Sequence, residues 1–345
     1  MTAEKPPDSA TTNREPNGFS NNVAATFRSF EQRNFRLYFS GQLVSLSGTW
    51  MQNLALSWLV YRLTNSPLAL GIVESCTYLP ILILGLAGGW LADRVDRRKI
   101  MLGSQALMMV QAAVLAYLTF SGQIQLWHII CLALVAGTIT AFEMPARQAL
   151  LAQLVERQYL VNAISLNSSV FNASRVVGPA IAAILIAQTG EAICFGLNAL
   201  SYVATLIVYA MIKPIKDAAD SGKKPRSDIR EGLKFAFATP EISRVLRQCV
   251  VLSLFGAQFS VLLPVMARDV LHLGVDGFGA LRVAAGVGSL CAALSLATKG
   301  SEATLLRIIG VSSVGFALAL CAFSINRQFE ISLFIALLLG LTVTS

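Results

Sequence analysis

Histidine, paired cysteine and charge are all scarce in this chain, and each scarcity removes a class of function. The two histidines, His128 and His272, fall at outer ends of apolar runs. No Ser/His/Asp grouping or pair of catalytic carboxylates can be assembled around them, so no catalytic residue is assigned and no enzyme is expected. The six cysteines, Cys76, Cys131, Cys194, Cys249, Cys291 and Cys321, stand singly inside apolar runs without any C-x-x-C spacing. Neither a metal site nor a disulfide framework is expected, and they read as small apolar residues. No GxxxxGK[ST] phosphate loop occurs, so no nucleotide site and no cofactor is expected. Charged residues amount to 13% against 55% hydrophobic ones. A soluble protein of this length would expose too much apolar surface, so the natural solvent of this chain is lipid.

What the chain has is long apolar blocks. A spanning helix needs ~20 mainly apolar residues, because the hydrocarbon core is ~30 Å thick and each residue rises ~1.5 Å. Runs of that kind are read at 38–61, 68–91, 100–120, 126–145, 161–188, 192–212, 249–267, 278–297 and 305–324, and a tenth begins near 331. They are continuous and lack two-residue alternation, so they predict helices rather than barrel strands. The expected fold class is all-α, a polytopic membrane protein. Pro80 and Pro179 lie inside runs and are expected to mark kinks.

Lysine and arginine fix the expected orientation. With a cytoplasmic N-terminus, the inner segments hold Arg28, Arg33, Arg36, the cluster 94–99, Arg147, Arg157, the stretch 213–247, Lys299 and Arg307, while the outer loops hold little beyond Arg62, Arg268 and Arg327. That asymmetry obeys the positive-inside rule and predicts a multi-pass protein of the cell inner membrane with its N-terminus cytoplasmic. The net charge of +8 is then explained by the anionic inner leaflet, and no nucleic acid is expected as a partner. Residues 1–33 read as a disordered cytoplasmic tail without an apolar h-region, so the first span serves as an uncleaved targeting signal. Residues 213–247 hold nine basic and five acidic side chains. Within them, Leu233, Phe235, Ala236 and Phe237 predict an amphipathic helix lying on the inner membrane surface, a plain solvated connector being the alternative. The expected domains are therefore a six-helix bundle at 34–212, a cytoplasmic linker at 213–247 and a second bundle at 248–345.

The most informative stretch is GWLADRVDRRK at 89–99, which places two carboxylates and four basic groups in its last seven residues directly after a spanning run. It closely resembles the loop between helices 2 and 3 of major facilitator superfamily transporters, G-x-L-A-D-R-x-G-R-K. Gly89, Leu91, Ala92, Asp93, Arg94 and Arg97 fall on that pattern, and Asp96 stands where it has glycine. Ser174 to Pro179, SRVVGP, followed by Ala182 and Ala183, resembles the G-x-x-x-G-P-x-x-G-G pattern that exporters of the superfamily carry in helix 5, with Gly178 and Pro179 retained. Small residues there permit close helix approach between the two bundles. NFRLYFSGQLVSLSGTWMQNLALSWLVY, MPARQALLAQLV, RVVGPAIAAI and REGLKFAFATPEI resemble the bacterial exporter branch of the superfamily, the transmembrane secretion effectors, from about Asn34 onward.

The resemblance implies two pseudo-symmetric six-helix bundles and secondary-active export of drug-like or siderophore-like small molecules by alternating access, coupled to a proton or other ion. It also implies that Glu143, one turn before Arg147 in helix 4, pairs with Arg97 to lock the cytoplasmic gate, and that Asp93 faces the N-terminal end of helix 11. A ten-helix chain would leave that aspartate without its partner helix. Its C-terminal bundle is read as incomplete, and a non-transporting remnant or interaction partner of the same fold is the alternative function. A small-molecule substrate and membrane lipid are the expected partners, and a monomer is the expected state.

Charges inside spans are the functional candidates, since each costs ~3 kcal/mol or more near the bilayer centre. Glu74 lies ~9 Å below the outer end of its helix by helical rise. It is read as a proton-coupling carboxylate, with a structural ion pair or a lipid-headgroup contact as the alternatives. Arg175 and Arg282 are expected near one another, because helices 5 and 8 pack together in this fold. They would favour an anionic or polyphenolic substrate through forked hydrogen bonds, unless each bonds to local carbonyls or an acid. A weak internal repeat that sets Gly71 against Gly279 also places Glu74 opposite Arg282. In helix 1, Gln42, Ser45, Thr49 and Asn53 form a stripe at spacings of three or four, read either as cavity lining or as glue between helices. Ala133 and Leu134 stand in helix 4 where many proton antiporters carry a buried arginine.

Overall fold

The computed structural model describes residues 28–212, 258–297 and 302–344, with a few positions between 234 and 250. Residues 1–27, 213–233, most of 235–257, 298–301 and 345 lie outside it, and with them most of the tail, the amphipathic-helix reading and the start of the seventh run; the last residues read as tail are described, Arg28–Glu31 as a 3-10 turn and Arg33 as the start of the first long helix.

The described chain is helical throughout its ordered elements: α1 (Arg33–Thr64), α2 (Pro67–Ala92), α3 (Arg97–Phe120), α4 (Leu126–Leu151), α5 (Leu160–Thr189), α6 (Glu191–Met211), α7 (Gln258–Val265), α8 (Val275–Ala297), α9 (Glu302–Ile325) and α10 (Phe329–Thr344). A π-helical turn, Met266–Val270, continues α7. Among the described residues, seven helices are long and apolar enough to cross a membrane, namely α2 to α6, α8 and α9. The sequence reads ten runs, and three of them fall short of that measure. Of α7, only eight residues are described, and α10 is a 16-residue apolar helix. The 32-residue α1 is long enough, but Gln42, Ser45 and Gln52 lower its hydropathy, and these are buried at 3%, 6% and 8% exposure. They face other helices, not lipid.

Local chemistry sets the helix boundaries. Ser66 caps α2, its side chain accepting from the Ala69 N–H at 3.3 Å, with Pro67 in the first turn. Asn65 makes the preceding turn in the left-handed region, φ 47°, a conformation asparagine tolerates better than most residues. Asp96 caps α3 by accepting from the Arg98 N–H at 2.9 Å. Its φ of −54° and ψ of 115° need no glycine, which is why an aspartate serves where the resembling pattern has Gly. His128 Nδ1 accepts the Gln125 N–H at 3.2 Å and so caps the start of α4.

The helices pack in a small set of partnerships: α1 with α5 and α6, α2 with α4, α3 with α4 and α6, α8 with α5 and α10, and α9 with α10. The α2–α4 crossing is nearly backbone to backbone. A Cβ on Gly88 would lie 2.1 Å from the Ala141 carbonyl oxygen, and one on Gly137 would lie 2.2 Å from that of Thr77. A large apolar cluster joins both parts of the chain, with Leu54, Leu59, Val73 and Phe195 from α1–α6 and Leu263, Phe278, Phe316 and Leu339 from α7–α10. A second cluster, around Phe35, Tyr38, Met101, Leu150 and Tyr209, fills the end that carries the 93–99 charge knot.

Candidate functional site

Three charges picked from separate runs converge on one cavity. Glu74 from α2, Arg175 from α5 and Arg282 from α8 all line a space of about 660 Å³, together with Trp50 and Asn53 from α1, Tyr78 from α2, Phe259 and Ser260 from α7 and Phe316 from α9. Gly71 and Pro179 also line it, so the two residues of the weak repeat, Glu74 and Arg282, share a site. The Arg282 guanidinium is held by Ser260, donating to its Oγ at 2.6 Å and to its carbonyl oxygen at 3.0 Å. It also lies 5.6 Å from the Phe278 ring centroid. Its Nε is buried without a hydrogen-bond partner. Arg175 stands 5.3 Å over the Trp50 ring. Among the described residues Glu74 makes no direct ion pair, and Arg282 and Arg175 face the same space. Each is a charge kept inside the helical bundle beside a space large enough for a ligand.

The α1 stripe divides. Asn53 is exposed to the cavity, whereas Gln42 donates to the Tyr209 hydroxyl at 2.7 Å and Thr49 to the Ser45 carbonyl at 3.0 Å. Thr49 also shares a 3.4 Å hydrogen bond with Tyr202. Gln52 accepts from Asn198 at 2.8 Å. Gln42 and Thr49 therefore join α1 to α6, Ser45 is buried beside them, and only the last member of the stripe lines the cavity. The helix 5 motif also faces two ways. A Cβ on Gly178 would meet Trp50 Cβ at 2.6 Å and the Ser47 carbonyl at 2.7 Å, so this glycine seats α5 on α1. Across the other side of α5, a Cβ on Gly279 would meet that of Ala183 at 2.2 Å, and one on Gly286 would meet the Arg175 carbonyl at 2.8 Å. The close approach to α8 is carried from that side of α5.

At the charge knot the geometry differs from the pairing that the resemblance implies. Glu143 faces Arg147 at 3.7 Å and accepts from Gln105 at 3.2 Å, while Arg97 donates to the Ala92 carbonyl at 3.3 Å. Arg97 thus closes the last turn of α2 instead of meeting Glu143. Arg94 lies 4.0 Å over the Trp90 ring. Asp93 is the exposed C-cap of α2, and a side chain on Gly89 would meet open space. Arg98, read from the sequence only as a trailing basic residue, donates to the Tyr209 carbonyl at 2.6 Å and also to that of Ala210. It satisfies the last carbonyls of α6, where the helix dipole favours a cation.

At the opposite end, α1 and the turn after α7 are fastened together. The Tyr61 hydroxyl donates to Asp269, and Arg268 donates to Asn65 Oδ1 at 2.8 Å. Trp58 stacks on Phe278 with ring centroids 5.9 Å apart. Arg62 forms an ion pair with Glu191 at 2.8 Å, fixing α1 to α6.

Residues 24–343 match the sequence profile of the transmembrane secretion effectors. The chain belongs to this family. Its relatives include the staphyloferrin A transporter of Staphylococcus aureus, 27% identical over 83% of this chain and 72% of the relative. The enterobactin exporter of Citrobacter koseri is 24% identical over 84% of this chain and 70% of its own length. A macrolide efflux protein of Streptococcus pyogenes is 27% identical, but the match spans only 52% of this chain and 44% of that protein. Among solved structures, an inward-facing, unoccupied bacterial homologue of the lysosomal transporter Spinster aligns with a TM-score of 0.69 at 11% identity, covering 91% of this chain and 73% of that one. An inward-facing bacterial homologue of ferroportin aligns with a TM-score of 0.56 at 18% identity, over 90% and 81%. The chain is thus a multi-pass membrane protein of the major facilitator type, and its relatives are transporters, not enzymes.

Sequence reasoning found the three charges because a charge in an apolar run is conspicuous. It missed Ser260, Trp50 and Tyr78, since a hydroxyl or an aromatic ring in such a run carries no signal of its own. It also missed the Arg98 contact, which depends on where α6 ends in space.

Proposed function

We propose that this protein is a secondary-active exporter of small molecules, and that the cavity between α1, α2, α5, α7 and α8 is its transport site. The convergence of Glu74, Arg175 and Arg282 on one 660 Å³ space carries this reading, because three intramembrane charges would be costly to retain without a ligand or ion to meet. In this reading the protein works by alternating access in the inner membrane as a monomer in contact with lipid, with its N-terminus cytoplasmic. Residues 34–212 and 248–345 move as two bundles joined by the linker at 213–247. The fastening of Tyr61 to Asp269 and Arg268 to Asn65 closes the outer side, and the likeness to two inward-facing structures supports a cavity that opens inward. Glu74 couples transport to a proton or other ion gradient.

The relatives suggest the trial substrates: staphyloferrin A, enterobactin and a macrolide. Inverted vesicles containing the chain are expected to accumulate at least one of them above vesicles lacking it, and an energised gradient should be required. Vesicles that accumulate none of the three under an imposed gradient would contradict the exporter reading.

A further inference from the structure

The arrangement around Arg282 goes further than a general cavity. Its guanidinium is gripped twice by one residue, through the side chain and the backbone carbonyl of Ser260, so its plane is fixed before any ligand arrives. A fixed fork is what planar oxyanion recognition requires, and pre-organisation lowers the ordering cost of binding. One donor of that fork, Nε, is buried with no partner, a group that a protein leaves unsatisfied at a cost unless something meets it. Arg175 adds a second guanidinium from α5, backed by the Trp50 ring. Trp50, Tyr78, Phe259 and Phe316 supply aromatic walls to the same space. Against two positive groups stands one carboxylate, Glu74, from α2. Neither α1, α7, α9 nor α10 adds a charged side chain to the lining.

We propose that this cavity holds an oxyanion subsite in which Ser260 positions Arg282, Arg175 supplies the second guanidinium, and Glu74 is the resident counter-charge that an aromatic carboxylate or phenolate displaces. This rests on the cavity being the transport site. Its most distinctive consequence is the sign of the Glu74 effect. A carboxylate that competes with the ligand weakens anion binding, so neutralising it strengthens binding, whereas a carboxylate that recognises a cation does the opposite.

The test is calorimetric titration of the purified full-length chain in detergent with salicylate as the anionic probe and tetraphenylphosphonium as the cationic one. Salicylate is expected to bind wild type, roughly tenfold more tightly to Glu74→Gln, since one like charge at partly screened range is removed. Arg282→Gln should weaken it by roughly tenfold or more. Ser260→Ala should weaken it severalfold and Ser260→Thr, which restores a hydroxyl, should recover most of the loss. Thermal melting of each variant separates loss of the site from loss of the fold, and Arg282→Lys, which keeps the charge without the fork, should fall between wild type and Arg282→Gln. Salicylate affinity that is absent, unchanged or reduced in Glu74→Gln, or tetraphenylphosphonium binding that Glu74→Gln abolishes, overturns the oxyanion assignment and leaves the exporter reading standing. Salicylate behaviour as expected in a protein that accumulates no trial substrate in vesicles overturns the exporter reading alone.

Discussion

At the scale of single residues, the interior of this protein separates polar groups that hold helices together from those that line the cavity. Gln52 and Asn198 belong to the first kind. Asn198 is fully buried, donates to Gln52 at 2.8 Å, and Gln52 in turn lies 3.5 Å from Gln111. Asn198→Ala leaves Gln52 with an unmet acceptor, and the expected cost is about 1 kcal/mol, the usual size of a buried interhelical hydrogen bond in a membrane. A fall in the melting temperature of the detergent-solubilised protein checks this. The stripe Gln42, Ser45, Thr49, Asn53 shows why sequence alone could not sort the two kinds. Helical spacing places all four on one face, but that face crosses α6 over most of its length and meets the cavity only at Asn53. The intramembrane charges were legible because they break an apolar run; the groups that hold two of them, Trp50 for Arg175 and Ser260 for Arg282, were not, since they lie on other helices. Glu143 is the opposite case: its partner is Arg147, four residues on along the same helix, while Arg97 turns back to the Ala92 carbonyl.

At the scale of helices, the packing rests on small residues where backbones touch. Gly88 and Gly137 let α2 and α4 approach until only hydrogen atoms fit between them. Gly88→Val would drive two methyl groups into the Ala141 backbone, and the expected destabilisation is about 2 kcal/mol or more, read as a lowered melting temperature. Gly71→Ala, whose added methyl meets open space, should leave stability close to wild type. The helix boundaries were more legible than the contacts. The long apolar runs announced α2 to α6, while the capping by Ser66 and Asp96 that sets the starts of α2 and α3 is seen only in the structure. Arg98 marks the limit of that reading, because its two carbonyl partners come from the end of α6. Removing it in Arg98→Ala leaves those carbonyls without their cation, with an expected cost of about 1 kcal/mol, again visible in thermal melting.

At the scale of the whole molecule, the proposed alternating access turns on the seam between α1–α6 and α7–α10. The fastening at the Tyr61 end uses a hydroxyl–carboxylate bond, a guanidinium–amide bond and a stacked ring pair, set on a π-helical turn, an irregularity that often marks functional positions. Tyr61→Phe combined with Asp269→Asn is expected to shift the population toward opening at that end. A cysteine placed at Ser57, which lines the cavity, should then react faster with a membrane-impermeant thiol reagent added from that side. No change in labelling rate would mean that the fastening does not hold the two parts closed. The fold itself was legible as a class from composition and from the 89–99 knot, whose family assignment the profile match over 24–343 bears out. The number of membrane crossings was less so, because a helix such as α1, polar on its buried side, reads differently by hydropathy than by packing.

The central claim is that Glu74 links an ion gradient to movement of a substrate through this cavity, and substrate accumulation in inverted vesicles under an imposed pH gradient tests it most directly. Wild-type vesicles are predicted to accumulate substrate only while the gradient stands, and Glu74→Gln vesicles to lose that dependence while the purified variant still binds ligand. Gradient-driven accumulation that survives intact in Glu74→Gln would contradict the account.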